Sequence, residues 1–339
     1  MRAYVRLAVP LVAIAVLAFL IYSVRSHVSP APDFPTASIN AQSPTVVIEI
    51  PLGATGSQVG QILFEKKVTK SALAYFRAAV ANPKSLQVAP GAHLLNLKIS
   101  AQQALIQLLD PNRIPNLIKV FEGAWKSEIR TSLIKYGFSA TEVDKAFENV
   151  VLPKGFTDAE GLLFPAQYTF PKGTSALEAV AAMVDRFRAE SAGKKLLSAS
   201  GKYSSQQLLV IASIVQAEGD SEDFAKVSRV VRNRLEIGMP LQLDSTVHYI
   251  KKVRGQIFLS TSSTLIKSTY NTYKRYGLPP TPIGNPGSAA MDAALNPSPG
   301  DWLFFITVAP GDTRFTRSND EFLQWKALYE KNRKAGAFN

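Results

Sequence analysis

Residues 206–219 read QQLLVIASIVQAEG, and this stretch decides the fold around it. Its apolar residues, Leu208, Leu209, Ile211, Ala212, Ile214 and Val215, recur at helical spacing. Ser204 or Ser205 supplies an N-cap hydroxyl, and the helix runs to Glu218. The inner face steps through Leu208, Ile211, Val215 and Glu218, at intervals of three, four and three, so a carboxyl falls on the buried stripe. That carboxyl also stands at the helix C-terminus, whose partial negative charge disfavours another. Burial and the helix end push Glu218 the same way, toward a carboxyl protonated near neutrality, which is what a general acid requires. Periodicity alone also admits a plainer outcome, a terminal glutamate that turns out to solvent where the helix frays.

The next segments bear on that choice. A second helix is expected from near Ser221, with Glu222 and Asp223 in its first turn, to Ile237, with Gly238 as its stop. Arg229, Arg232, Asn233 and Arg234 cluster on it. Residues 238–250, GMPLQLDSTVHYI, then gather Gln242, Asp244, Ser245, Thr246, His248 and Tyr249. Residues 269–287, TYNTYKRYGLPPTPIGNPG, add Tyr270, Asn271, Thr272 and Tyr273. Amides, hydroxyls and aromatic rings at this density suit a sugar groove, in which rings stack and hydroxyls pair with amides. Taken singly, each polar residue also fits turn capping and each tyrosine core packing. Asn285-Pro286-Gly287 reads as structural, and residues 240–286 as irregular chain.

Outward from this centre the chain reads as α+β. Residues 303–308 form a buried strand and 322–334 a closing helix, while 192–204 read as a connector. An apolar run, a glycine turn and a helical pattern recur at 46–67, at 117–136 and at 168–188, which is also the ordinary punctuation of an α+β protein. In the first copy the pattern continues through a helix at 70–81, a strand at 93–99 and a helix at 101–109. Strand, two helices and strand in so short a span match a small carbohydrate-binding module, with a boundary at Asp110-Pro111-Asn112.

Composition limits the chemistry. The chain of 339 residues has no cysteine, which excludes disulfides, thiolate metal sites and cysteine nucleophiles. Its three histidines, His27, His93 and His248, lie far apart, which argues against a histidine metal site or a Ser-His-Asp arrangement. Acid–base work falls to carboxylates. A net charge of +12 favours anionic partners, yet no basic-aromatic tract marks nucleic-acid binding.

Residues 7–24, LAVPLVAIAVLAFLIYSV, form an uncharged run of 18. That approaches the ~20 residues that cross a bilayer and exceeds the ~7–15 of a signal-peptide core. Arg2 and Arg6 precede it, so the expectation is a retained single-pass anchor in the cytoplasmic membrane, N-terminus inside and the remainder outside. Residues 26–44 are rich in Pro, Ser and Ala and read as a linker. The expected layout is a tail and anchor at 1–25, a linker at 26–45, the small module at 46–110 and a mixed α+β catalytic domain at 111–339.

Several segments together resemble the endolytic murein (peptidoglycan) transglycosylases of the YceG-like family. They are Glu160-Gly161-Leu162-Leu163-Phe164-Pro165 with Tyr168, Ala212 to Val215 with Glu218, VRNRLEIGMPLQLDST at 231–246, Tyr270 to Tyr273, and GLPPTPIGNPG at 277–287. The resemblance implies a membrane-anchored lyase that cuts glycan strands internally between N-acetylmuramic acid and N-acetylglucosamine and terminates nascent strands. It implies a LysM-like subdomain in the module, Glu218 as the catalytic residue, peptidoglycan as partner with cell-wall synthases beside it, and neither cofactor nor metal. Gln242, Asp244, Thr246, Tyr270, Asn271 and Tyr273 are the candidates for sugar binding. Three departures stand out: Gln216-Ala217 where the family often has Glu-Lys, Ala166-Gln167 for Asp-Thr, and Asp244-Ser245-Thr246 for Asp-Pro-Thr. Two competing readings remain: a hydrolase with Glu218 as acid and Asp244 as base or nucleophile, and a non-catalytic wall-binding scaffold.

Overall fold

A computed structural model describes residues 31–338 apart from 41, 52, 116 and 255–261. The anchor expected at 7–24 lies outside the described residues; among those described, no helix is long and apolar enough to cross a membrane. The chain divides after Pro115 into two units.

In the first unit, strands β1 (Thr45–Ile50) and β2 (Gly91–Asn96) pair antiparallel, from Thr45 opposite Asn96 to Ile50 opposite Gly91. Between them run helices α1 (Gly56–Glu65) and α2 (Ala72–Ala81), and α3 (Ala101–Leu108) follows. Thr55, Ser71 and Ser100 cap the three helices, each accepting a main-chain N–H of the first turn. Ile48, Leu63, Val68, Tyr75, Leu95 and Leu105 fill the core. Gly60 lets α1 approach α2, because a β-carbon there would lie 2.7 Å from the Ala72 carbonyl oxygen. The expected strand, two helices and strand are all present. The unit continues past Asp110 because Arg113 donates to the Leu94 carbonyl and to Gln107 Oε1. Residues 31–40 carry no helix or strand, yet they dock: Asp33 accepts the Ala101 N–H at the start of α3, and Ala37 pairs with the Gln103 amide in both directions.

The second unit is mostly helical. Strand β3 (Ile118–Lys119) leads to helices α4 (Lys126–Tyr136) and α5 (Ala140–Asn149). Strand β4 (Gln167–Tyr168) pairs antiparallel with β3 and leads to α6 (Ala176–Ala189) and α7 (Ser191–Leu197). The helices α8 (Ser205–Glu218), α9 (Phe224–Glu236), α10 (Asp244–Lys251) and α11 (Ser288–Leu295) follow. A hairpin of β5 (Phe304–Ala309) and β6 (Asp312–Thr316) and the helix α12 (Asn319–Lys334) close the chain.

Every residue of α8 from Leu208 to Val215 is buried. It is therefore an all-round apolar core helix rather than an amphipathic one, and each such Leu or Ile contributes about 1.5–3 kcal/mol by leaving water. Four expectations need correction. Residues 191–197 are helix α7 rather than connector, because Ala192 and Leu196 face the core one turn apart. Residues 240–286 are not wholly irregular, since α10 lies within them. Helix α9 begins at Phe224, with the residues after Ser221 forming a turn ahead of it. Finally, β5 is only half-buried apart from Val308, because a lone hairpin can cover one face alone.

Candidate functional site

Ser204 starts α8 with a reciprocal cap: its hydroxyl accepts the Gln207 N–H, and the Gln207 side chain accepts the Ser204 N–H. The helix then runs through the core to Glu218, and Gly219 leaves it in extended conformation. Two α8 side chains hold the loop before α11: Ser213 Oγ accepts the Ile283 N–H at 3.0 Å, and Gln216 Oε1 accepts the Gly287 N–H at 2.9 Å.

Glu218 does not fray. It is half-buried, and its Oε1 accepts the main-chain N–H of Ser245 at 3.2 Å, in the first turn of α10. Burial pushes its pKa up; Ser245 opposes that, Asp244 adds to it, and the Arg234 guanidinium opposes it again. The Ser245 hydroxyl lies against the same carboxyl and also favours its charged form, though short of full hydrogen-bond geometry. A carboxyl so placed keeps its proton to higher pH than a solvated one and still has a donor for its charged form.

Helix α9 carries Arg234 inward, where it donates to the carbonyls of Leu303 and Leu241. The neighbouring Arg229, Arg232 and Asn233 donate to the carbonyls of Ser298, Ala294 and Trp302. The basic cluster of α9 therefore pins residues 294–303 and the approach to α10. Leu241 opens that approach, and Gln242 crosses it with φ +48°, its N–H bonded to the Thr272 carbonyl at 3.1 Å.

A second carboxyl is more deeply placed. Glu160 is 1% exposed, and three donors converge on it: the Lys126 N–H at the start of α4, the Tyr249 hydroxyl at 2.9 Å and the Asn285 amide at 3.1 Å. Burial pushes its pKa up to about 7, against these donors and the nearby Lys252 and Lys126 charges. Gly161 turns the chain here with φ +89°; a β-carbon would lie 2.6 Å from Pro282. Asn285 completes the junction by donating to the Ala124 carbonyl and accepting the Leu163 N–H.

Against the end of α8 lies a cleft of about 240 Å³ lined by Glu122, Trp125, Gln216, Ala217, Ser245 and His248. It continues past Glu122 and Arg254 into a hollow of about 400 Å³ that includes the exposed ring of Phe121. Arg254 stacks 3.8 Å from the Trp125 ring centroid and is ion-paired to Glu128. Among the described residues, Ser245 Oγ and His248 Nε2 are buried without a partner. The cleft presents the Trp125 ring, the Gln216 amide and His248, and Ser245, which lines it, joins it to the Glu218 carboxyl.

The sequence matches the YceG-like family over residues 48–327. The chain belongs to that family. A Bacillus subtilis (strain 168) protein named endolytic murein transglycosylase is 32% identical over 317 residues, covering 86% of this chain and 87% of the relative. A Streptococcus pneumoniae (serotype 2, strain D39) protein of the same name is 33% identical over 174 residues, 48% of this chain and 30% of the longer relative. A Listeria monocytogenes yceG-like protein, solved in a crystal structure at 2.6 Å, superposes with TM-score 0.55 at 27% identity, over 83% of this chain and 98% of that one.

In this YceG-like chain the six candidate sugar-binding residues separate into two groups. Thr246 and Asn271 are fully buried. Thr246 donates to the Leu243 carbonyl and meets Thr272 Oγ1 at 3.0 Å, while the Asn271 amide donates to the carbonyls of Thr264 and Ile266. A correction follows: with their polar atoms already partnered inside the protein, these two hold the loops and present nothing to a ligand. Tyr270 bonds Thr281 through its hydroxyl and packs its ring on Tyr249, so it too braces the site while staying half-buried. Tyr273 donates to Asp244 Oδ1, and both remain half-buried near Glu218. The Gln242 side chain is exposed beside them. Glu160, Trp125, Gln216 and His248 were not among the candidates. Glu160 lies in the Glu160–Pro165 motif, where a charge among apolar neighbours is the available signal; His248 and Gln216 sit in segments the sequence marks without singling them out, and Trp125 joins the site only through tertiary packing.

Proposed function

We propose that this chain is an endolytic peptidoglycan lytic transglycosylase, with Glu218 as its single acid–base. The observation that carries the reading is the Glu218 carboxyl itself, raised in pKa by burial, held by the Ser245 N–H and joined through Ser245 to a cleft that holds Trp125, Gln216 and His248. The names of the relatives support the same substrate.

Protonated Glu218 gives its proton to the glycosidic oxygen between N-acetylmuramic acid and N-acetylglucosamine as that bond breaks. The muramic 6-hydroxyl attacks the oxocarbenium-like carbon, and the carboxylate takes the hydroxyl proton. The product ends in a 1,6-anhydro sugar, and no water is consumed. Attack from within the same sugar carries a high effective molarity, so a second carboxylate nucleophile is not needed. Asp244 is engaged by Tyr273, an arrangement that suits orientation of the α10 turn rather than activation of water.

In this reading residues 7–24 anchor the protein in the cytoplasmic membrane with the described units outside, and cell-wall synthases are its neighbours. The first unit is a LysM-like glycan-binding subdomain. It offers a groove of about 530 Å³ bordered by Tyr75, Phe76, Val80 and Leu86.

The test is product analysis. Glycan cleaved by the wild type in heavy-oxygen water should carry an unlabelled, non-reducible muramic terminus, lighter than the hydrolytic end by one water. Glu218→Gln should bind glycan and not cut it. A labelled, reducible end would overturn the lyase reading even with Glu218 essential.

A further inference from the structure

We infer that Ser245 is a positioning residue for Glu218, acting through its main-chain N–H. The inference rests on the reading of Glu218 as the general acid.

The N–H reaches Oε1 at 3.2 Å from the second position of α10, while the hydroxyl has no partner in hydrogen-bonding geometry. At that position the amide has no acceptor within its own helix, so it is free to serve another group. The Ser245 hydroxyl lies against the same carboxyl, but only the N–H meets it in full hydrogen-bond geometry. One oxygen is thus assigned to the protein and the other to chemistry: with Oε1 accepting the N–H, the acid proton resides on Oε2, passes from there to the glycosidic oxygen, and returns there from the 6-hydroxyl. The same N–H serves both states. It accommodates the protonated carboxyl through its carbonyl-like oxygen and strengthens when the carboxylate forms.

The contact also limits how far burial can raise the pKa. The groups facing Glu218 are Ser245 and Asp244 from α10, Arg234 from α9 and Tyr273 from the turn after Asn271. Burial and Asp244 favour the proton, and the Ser245 hydroxyl, its N–H and Arg234 favour its loss. Deleting the N–H leaves the first pair less opposed, so the acid stays protonated to higher pH. Carboxylates that accept two or three amides fall by about two units, so one amide is worth ~1 unit.

The experiment compares the pH dependence of kcat/KM on purified glycan strands for S245A and S245P. S245A removes the hydroxyl and keeps the amide; S245P removes both, and the first turn of a helix tolerates proline. The alkaline limb of S245P should lie about one pH unit above that of S245A, with the change in rate carried by kcat rather than KM. Coincident limbs in two folded variants would overturn the inference. Thermal melts report whether S245P folds. If it does not, an ester in place of the 245 amide deletes the N–H alone, and its limb should lie above that of the wild type; an unmoved limb again overturns the inference. Full activity of Glu218→Gln would remove the underlying reading instead, whereas an inactive Glu218→Gln with coincident S245A and S245P limbs removes only the role of Ser245.

Discussion

Tyr249 donates its hydroxyl to Glu160 Oε2 at 2.9 Å, one helical turn beyond the Ser245 N–H that reaches Glu218. Two carboxyls therefore grip one short helix, α10, at successive turns. Glu160 is enclosed, and Glu218 is half-buried. Tyr249→Phe keeps the ring that packs against Trp125 and Tyr270 and deletes the grip. It should destabilise the protein by about 0.5–1.5 kcal/mol in urea unfolding, the usual net worth of one hydrogen bond, because Lys126 N–H and Asn285 still serve the carboxyl. Turnover should fall more than glycan affinity.

Glu160 links stability to pH. Its native pKa, about 7, stands above the ordinary 4.5, so between these values the folded state holds a proton that the unfolded state has lost. The stability this supplies is complete below about 4.5 and is lost as pH rises through about 7. The shift corresponds to about 3 kcal/mol at most. Unfolding free energies of the wild type, compared with Glu160→Gln across this window, should show a decline with rising pH that the variant lacks. Parallel curves would place the titration elsewhere.

Asp244→Asn separates one-carboxylate from two-carboxylate chemistry. The Tyr273 hydroxyl can still donate to the amide oxygen, so the turn should persist. A measurable part of the activity should survive, against a loss of at least ~10²-fold for Glu218→Gln, the lower range for general acid–base groups. Equal losses for the two variants would favour the hydrolase.

Thr246→Val and Asn271→Ala should act on stability. The first removes the hydroxyl's bonds to the Leu243 carbonyl and Thr272 Oγ1, at about 0.5–1.5 kcal/mol, and the second strands two loop carbonyls, at about 1–3 kcal/mol. Melting temperature should fall while KM, measured well below it, stays near wild type. A large rise in KM without destabilisation would return these residues to the binding surface.

Deleting residues 41–110 should weaken binding to polymeric strands more than cleavage of a saturating short glycan, if the groove beside Tyr75 and Phe76 holds sugar. Sedimentation with insoluble wall measures the first quantity and fragment turnover the second. Unchanged binding with lost turnover would assign the segment to catalysis.

The legible parts of this protein were those with strong local signals. The α8 apolar run, its Ser204 start and the strand, two helices and strand around Ile48 and Leu95 follow from periodicity and capping chemistry, which act within a few residues. Glu218 was legible for a partly different reason than the stripe suggested. All faces of α8 are buried, so the stripe did not select it; its position at the end of a core helix did. Helix α7 and helix α10 were missed because each is short and its apolar residues acquire meaning only against distant partners, Met291 and the α8 end among them. Thr246 and Asn271 looked like sugar ligands because an amide or hydroxyl reads the same whether it faces solvent or a buried carbonyl. Only the fold distinguishes the two, through what occupies the other end of each hydrogen bond.

The junction at Asn285 has a consequence for the order in which the protein becomes active. Its side chain meets Ala124, Glu160 and Leu163, which lie 161, 125 and 122 positions earlier in the chain. Contacts of such separation form only after the intervening loops have closed. As the polypeptide is synthesised from its N-terminus, the segments bearing Glu218 and α10 emerge before the residue that ties them to the α4 end. A nascent chain halted short of residue 285 therefore carries the acid without the frame that aims it. Completion of that frame is therefore a late event in synthesis, reached once nearly the whole polypeptide is out.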